Sequence, residues 1–165
     1  MKRRAFFLAL LALPLSGCGF HLRGDVALPF KTLYIDAPGY NQLQVSSFYQ
    51  RLAKRLQVSG AALASSPAQA QVVLKILPES RTRTILALTS AGQVAEYRIT
   101  LALSYAVLGP DGRAIAAPQT INLTRDYTYN TNQYLAMGAE EDLLYRDMEN
   151  AVIEQIAQRL QDIKP

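Results

Sequence analysis

Few side chains in this sequence have the type and spacing that chemistry requires. The 165 residues include one cysteine, Cys18, and one histidine, His21, which lies only three positions further on. The acidic run at Glu140-Glu141 offers paired carboxylates, but acidic residues near the predicted start of a helix are explained by the helix dipole. No GxSxG, HExxH, Walker A or GxGxxG motif is present. The sequence therefore predicts a protein that is not an enzyme and that needs no cofactor and no metal.

The residues that precede the single cysteine form a secretory signal. Residues 2–4 are basic, residues 5–13 are apolar, and residues 15–18 read Leu-Ser-Gly-Cys. The apolar run of nine residues is too short for a membrane-spanning helix, which needs about 20. The arrangement resembles a bacterial lipobox, in which cleavage exposes a cysteine that carries lipid.

Cys18 is accordingly the predicted lipid attachment site, with diacylglycerol on the sulfur and an acyl chain on the new amine. An unpaired thiol is unusual in an oxidising compartment, which disfavours the alternative of an ordinary signal peptide with an incidental cysteine. The next residue is Gly19 rather than Asp. In lipoproteins of this kind an Asp there commonly means retention at the inner membrane, so this sequence predicts an outer-membrane anchor.

Cleavage of the signal peptide would remove most of the net positive charge of the chain. The full chain has 17 Lys+Arg and 13 Asp+Glu, for a net charge of +4. Residues 1–17 hold three of the basic residues and no acidic residue, so the mature chain keeps 14 against 13. A domain this close to neutrality gives no reason to expect nucleic acid as a partner. We expect residues 1–17 to be a removed signal peptide, 18–30 a lipidated tether and 31–165 a single αβ domain.

Hydrophobic periodicity predicts two helices and about four strands. The expected segments are a strand at 32–36, a helix at 42–58, a long strand at 72–88, strands at 97–107 and 115–129, and a helix at 139–162. The order β-α-β-β-β-α predicts an α+β fold in which two helices pack on one face of a mixed sheet of about four strands. The first strand reaches the others through a helix, which favours a right-handed crossover if the two paired strands are parallel.

A two-residue turn at Ala91-Gly92 would fix the register of the central hairpin. It would place Leu86 opposite Tyr97 and Ile76 opposite Val107, with both pairs on the apolar face. Gly109-Pro110-Asp111-Gly112 predicts a second hairpin turn.

In that register three arginines share the outward face of the sheet. Arg81 and Arg83 alternate with the core positions, and Arg98 lies beside them. Guanidinium groups match phosphate oxygens well, so this trio is the candidate phosphate-binding site. The alternative is a solvated face on which Glu79 and Glu96 are local partners. A second candidate surface is aromatic and gathers Tyr127, Tyr129 and Tyr134 at the end of the last strand.

Two short motifs carry a family resemblance. Residues 18–24 read Cys-Gly-Phe-His-Leu-Arg-Gly, and residues 92–97 read Gly-Gln-Val-Ala-Glu-Tyr. The first resembles the mature start of the LPS-assembly lipoprotein family (LptE, also called RlpB), and the second resembles the central hairpin of that family. The element order is similar to its αβ fold, and the resemblance extends from residue 18 to about residue 163.

The resemblance implies a partner and a task. Family members sit as a plug inside a large outer-membrane β-barrel, LptD, help it to assemble, and take part in inserting lipopolysaccharide into the outer leaflet. The predicted hairpin tip, Ser90-Ala91-Gly92, has no basic residue. Arg81, Arg83 and Arg98 are therefore the candidate contacts to lipopolysaccharide.

The sequence is also compatible with two other functional classes. One is a free periplasm-facing lipoprotein with a structural role, and the other is a small lipid-carrier domain. A carrier needs an apolar pocket for acyl chains, whereas a plug needs a packed core.

Overall fold

A computed structural model describes residues 28–38, 47–130 and 133–163. The predicted lipid attachment site, Cys18, and the first residues of the predicted helix at 42–58 lie outside the described residues. The described elements, in chain order, are β1 (Thr32–Asp36), α1 (Ser47–Val58), β2 (Ala62–Leu63), a 3-10 turn (Pro67–Gln69), β3 (Val72–Ile76), β4 (Ser80–Leu88), β5 (Val94–Leu108), β6 (Ala114–Thr128) and α2 (Tyr134–Gln161).

The α+β fold class is confirmed. Six strands form one mixed sheet, in which β1 pairs in parallel with β2 and β3, and β5 pairs antiparallel with β3, β4 and β6. The sheet exceeds the predicted four strands for two reasons. The two-residue β2 was not expected, and the predicted strand at 72–88 is divided into β3 and β4.

The division falls at Leu77-Pro78-Glu79, and it changes which residues face the core. Both β3 and β4 lie along one edge of β5, where Ile76 pairs with Tyr105 and Ser80 with Ala102. Four steps along one strand therefore match three along the other, so the interruption adds one residue and acts as a bulge. Proline lacks the N–H that a continuous ladder needs, which explains why pairing stops here.

The predicted register of the central hairpin is wrong by one residue in β4 and by two residues in β3. Tyr97 pairs with Ile85 rather than Leu86, and Ile76 pairs with Tyr105 rather than Val107. The turn is longer than expected, because the Thr89 N–H donates to the Gln93 carbonyl oxygen at 2.7 Å and encloses three residues. Gly92 takes the left-handed position of this loop, with φ +76°, which glycine adopts at little cost.

The two helices pack on the same face of the sheet. Their inward residues pack against alternate positions of β5. The principal contributors are Phe48, Leu52 and Leu56 of α1, Met148, Val152, Ile156 and Leu160 of α2, and Ile99, Leu101, Leu103, Tyr105 and Val107 of β5. This closely packed layer forms one continuous core.

The domain has two distinct ends. Leu28, the first described residue, donates its backbone N–H to Ser59 at the end of α1, and β1 begins beside β3, whose Val73 pairs with Leu108 at the end of β5. We call this end, formed by residues 28–31, 58–60, 109–113 and 159–163, the base. The turn at residues 89–93 lies at the start of β5 and is the tip. Fifteen residues of strand separate them, or about 50 Å at roughly 3.3 Å per residue.

Candidate functional site

The three candidate arginines do not share a face. Arg81 pairs with Leu101 and Arg83 with Ile99, so both belong to the helix-covered side of the sheet. Arg98 pairs with Thr84 and Asp126 on the opposite side. The expectation of a common patch is therefore wrong. The cause is the three-residue turn, which shifts the register of β4 by one residue and turns Arg81 and Arg83 to the other face. The bulge shifts β3 by one residue more and so returns β3 to its predicted face.

Arg83 belongs to a polar and aromatic cluster beneath the first half of α2. Its guanidinium donates to Glu141 at 2.8 Å, and the Tyr127 hydroxyl donates to the same carboxylate at 2.6 Å. The guanidinium also lies 4.7 Å from the centre of the Tyr97 ring, which stacks at 5.8 Å on Tyr127. Cation–π contact of this kind stabilises a partly desolvated arginine.

The pKa values of this cluster reflect that arrangement. Burial, and then the hydrogen bond to Glu141, raise the pKa of Tyr127 to about 12. Hydrogen bonds to Glu141 and Tyr127 raise the pKa of Arg83 above its already high ordinary value. Tyr127 is thus held as a neutral donor and Arg83 as a cation, and neither is poised to exchange protons near neutral pH.

Arg81 of β4 forms a second cluster with Tyr145 and Glu149, which lie one and two turns after Glu141 on α2. It pairs with Glu79 and with Glu149, each at 2.5 Å, and lies 4.7 Å from the centre of the Tyr145 ring. Glu149 is only 6% exposed and also accepts from Arg51 of α1. Burial lowers the pKa of Arg81, but the hydrogen bond to Glu79 and the charges of Glu79 and Glu149 outweigh that effect and raise it.

Together the two clusters fasten the first half of α2 to the sheet. Glu141, Tyr145 and Glu149 recur every four residues, which places them on one face of the helix. The Tyr145 hydroxyl adds a hydrogen bond of 3.2 Å to the Thr82 carbonyl oxygen. This spacing was visible in the sequence, but Glu141 was interpreted there as part of a helix start. The helix begins earlier, at Tyr134, so Glu141 lies beyond its first turn.

Arg98 makes a separate ion pair on the exposed face. It donates to both oxygens of Asp126 at 2.8 Å, and this hydrogen bonding lowers the pKa of that carboxyl group. The surrounding surface is rich in hydroxyl groups, among them Ser104 and Thr120, which lie 2.8 Å apart. Each of the three arginines is therefore matched by a carboxylate within this chain.

The predicted aromatic surface is partly internal. Tyr127 is buried, and Tyr129 meets Tyr97 edge to face at 5.1 Å. The side chain of Tyr134 lies outside what the structure describes. These rings support the hairpin rather than project from it.

The part of β4 next to the tip is apolar and exposed. Ile85, Leu86 and Leu88 are exposed large hydrophobic residues, and residues 84–95 contain no charged side chain. Neighbouring exposed apolar residues on both sides of a strand are typical of a contact surface.

The described residues contain no group of three or more His, Cys, Asp or Glu side chains arranged to hold a metal ion. In the same ranges, 28–38, 47–130 and 133–163, we find no helix with the length and apolar composition needed to cross a membrane.

Comparison with known families identifies relatives of this chain. Residues 30–160 match the family model described as LptE, lipopolysaccharide-assembly. The chain belongs to the LptE family. The LPS-assembly lipoprotein LptE of Pectobacterium atrosepticum is 30% identical over 166 residues, which cover 97% of this chain and 86% of that protein. LptE family lipoproteins such as this one take part in lipopolysaccharide assembly.

Solved structures agree with the LptE fold. The solution structure of lipoprotein B from Nitrosomonas europaea is 28% identical, with a TM-score of 0.72 over 87% of this chain and 91% of that one. The crystal structure of rare lipoprotein B from Shewanella oneidensis, at 24% identity, has a TM-score of 0.68 over 79% and 93%. The sequence-based recognition of the family is thereby confirmed.

Proposed function

We propose that this protein is a non-enzymatic outer-membrane lipoprotein that plugs the LptD β-barrel, helps it to assemble and takes part in inserting lipopolysaccharide into the outer leaflet. The observation that carries the proposal is the opposition of base and tip along β5. Their separation of about 50 Å is close to the roughly 40–45 Å thickness of a bilayer with its headgroups.

The anchor belongs to the base. Cys18 precedes Leu28 by ten residues, which span at most about 33–36 Å when extended. A lipid on Cys18 would keep the base near the inner leaflet of the membrane and leave the tip free to reach the level of the outer leaflet. Two or more acyl chains on one residue would make this attachment stable.

The surface of the domain suits the inside of a barrel. Barrel interiors are polar, and the exposed face of the long hairpin carries hydroxyl groups and the matched pair Arg98–Asp126. Because the arginines are paired internally, we do not propose that Arg81, Arg83 and Arg98 form one phosphate site. Lipopolysaccharide contact would instead involve surfaces shared with the barrel.

Packing favours a plug over a lipid carrier. The helices meet the sheet through residues that are fully buried, including Leu52, Leu74, Leu103, Val152 and Ile156. An acyl chain would need an apolar cavity in this layer, where the described side chains already pack against one another.

Co-purification tests the partner. Full-length protein expressed with LptD is expected to purify as a one-to-one complex, and a photo-crosslinker at Thr84 on the hairpin is expected to capture LptD. The matched position at Asp111 in the base turn, which would face the periplasm, is expected to give little capture. A lipoprotein that purifies only as a monomer from cells with normal LptD would contradict the plug and favour the free structural lipoprotein.

Mass spectrometry tests the anchor separately. The mature protein is expected to begin at Cys18 and to carry the mass of a diacylglyceryl group and an N-acyl chain. An unmodified cysteine would contradict the proposed attachment, and Cys18→Ala is expected to remain unprocessed or to mislocalise.

A further inference from the structure

A small crevice opens at the base, on the side away from the hairpin tip. It has a volume of about 220 Å³ and is lined by residues of β5, β6 and the end of α2, namely Tyr105, Val107, Ala116, Gln119, Arg159 and Asp162. Pockets for drug-sized ligands are larger, at roughly 300–1,000 Å³. The crevice is therefore suited to a small group rather than to an acyl chain.

Tyr105, one of the residues that line the crevice, has a buried hydroxyl group. Tyr105 is 2% exposed, and its hydroxyl has no hydrogen-bond partner among the described residues. Leaving a buried polar group unpaired costs about 1–3 kcal/mol, so native proteins usually supply a partner. A polar atom bound in the crevice would supply it.

The other polar groups in the crevice carry opposite charges. Arg159 makes no ion pair among the described residues. Burial raises the pKa of Tyr105, and the charge of Arg159 is near enough to oppose part of that rise. Asp162 caps the end of α2, where its backbone N–H donates to the Arg159 carbonyl oxygen at 3.3 Å. The carboxyl end of a helix carries partial negative charge, so it adds to the attraction of Asp162 for a cation.

We propose that this crevice binds a small zwitterion that combines a phosphate with a primary ammonium, as in phosphoethanolamine. The phosphate would accept from Arg159 and Tyr105, and the ammonium would lie against Asp162 and the end of α2. An anion alone would meet the helix end and Asp162 unfavourably, whereas a cation alone would leave Arg159 and Tyr105 without partners. A ligand with both charges satisfies Arg159, Tyr105 and Asp162 together.

Two sources could supply this chemistry. The group could be free in solution, or it could be the headgroup of an aminophospholipid in the leaflet to which the base is anchored. The headgroup source rests on the proposed lipid anchor at Cys18, whereas binding of the free zwitterion does not. Failure of the anchor or of the LptD complex would therefore leave the crevice testable by itself.

Titration of the detergent-solubilised full-length lipoprotein with phosphoethanolamine tests the site, with binding followed by calorimetry and phosphorus NMR. Arg159→Gln is expected to weaken binding by about tenfold or more, because it removes a charge-assisted contact. Tyr105→Phe is expected to weaken it about three- to tenfold without lowering the melting temperature, since the hydroxyl contributes no internal hydrogen bond. Arg113→Gln removes the same charge from the adjacent, exposed turn and is expected to bind as the parent does.

Asp162→Asn separates a zwitterion site from a simple anion site. It is expected to weaken phosphoethanolamine binding and to strengthen binding of inorganic phosphate. A variant that strengthens both would overturn the assignment, as would an absence of binding or equal losses in Arg159→Gln and Arg113→Gln. Competition by short-chain phosphatidylethanolamine but not phosphatidylcholine would assign the headgroup source, and its failure would assign the free zwitterion.

Discussion

Replacing Glu149 with alanine should destabilise the domain through one buried carboxylate. Glu149 bridges Arg51 of α1 and Arg81 of β4, and its side chain is only 9% exposed. Removing one partner of a buried ion pair costs about 3–5 kcal/mol. The arginine side chains keep 29% and 40% exposure, so water can solvate part of the released charge. We therefore expect a loss of about 2–3 kcal/mol, or a fall in melting temperature of roughly 5–10 °C.

Glu154→Ala is the matched control. Glu154 lies on the same helix and pairs with Arg55 of α1, but its side chain is 50% exposed. Exposed pairs contribute at most about 1 kcal/mol, so this variant should melt within a few degrees of the parent. Thermal unfolding of both variants, followed by circular dichroism, makes the comparison. Equal losses would refute the reasoning that burial makes Glu149 special.

Three further outcomes are expected. Tyr127, whose pKa is raised to about 12 by burial and by its hydrogen bond to Glu141, should titrate above the ordinary tyrosine value of about 10 in an absorbance titration. Its contribution to stability should be full below about pH 10 and disappear as the pH rises through 12, and a normal midpoint would contradict the burial and the hydrogen bond together. Arg98→Ala should leave the melting temperature nearly unchanged, because the pair of Arg98 with Asp126 is solvent-exposed. A drop comparable to that of Glu149→Ala would contradict the expectation that exposure makes this ion pair weak. Gly92→Ala should lower the free energy of unfolding by about 1 kcal/mol in a denaturant titration, because alanine is strained at φ +76°. Ala91→Gly, in the same turn, is the control, because it introduces no such strain.

Hydrophobic periodicity was sufficient to predict the fold class and most elements. The first strand was expected at 32–36 and is found at Thr32–Asp36, and the last helix was expected at 139–162 and is found at Tyr134–Gln161. These segments were predictable because an apolar face must be buried wherever an element lies. Their positions along the chain therefore depend little on the rest of the structure.

The register of the strands was not predictable in the same way, because every extra residue in a turn or bulge shifts all the pairs that follow it. One extra residue in the turn at Gly92 and one at the Pro78 interruption were each enough to change which residues face the helices. The sequence did contain the proline signal, but the alternation of Thr82, Thr84 and Leu86 imitated a continuous strand. The candidate arginine site depended entirely on that register, so it failed while the fold prediction held.

The bulge between β3 and β4 also divides the contact surface under α2 into two kinds. Toward the base, α2 packs against the sheet through the fully buried apolar residues Val152, Ile156 and Leu160. Toward the tip, it rests on the ion pairs of Glu141 and Glu149. Salt screens the more exposed pair of Glu141 with Arg83 but leaves apolar burial intact, so amide hydrogens around Glu141 in the first half of α2 should exchange faster as ionic strength rises. Those in the second half should still exchange only when the whole domain unfolds.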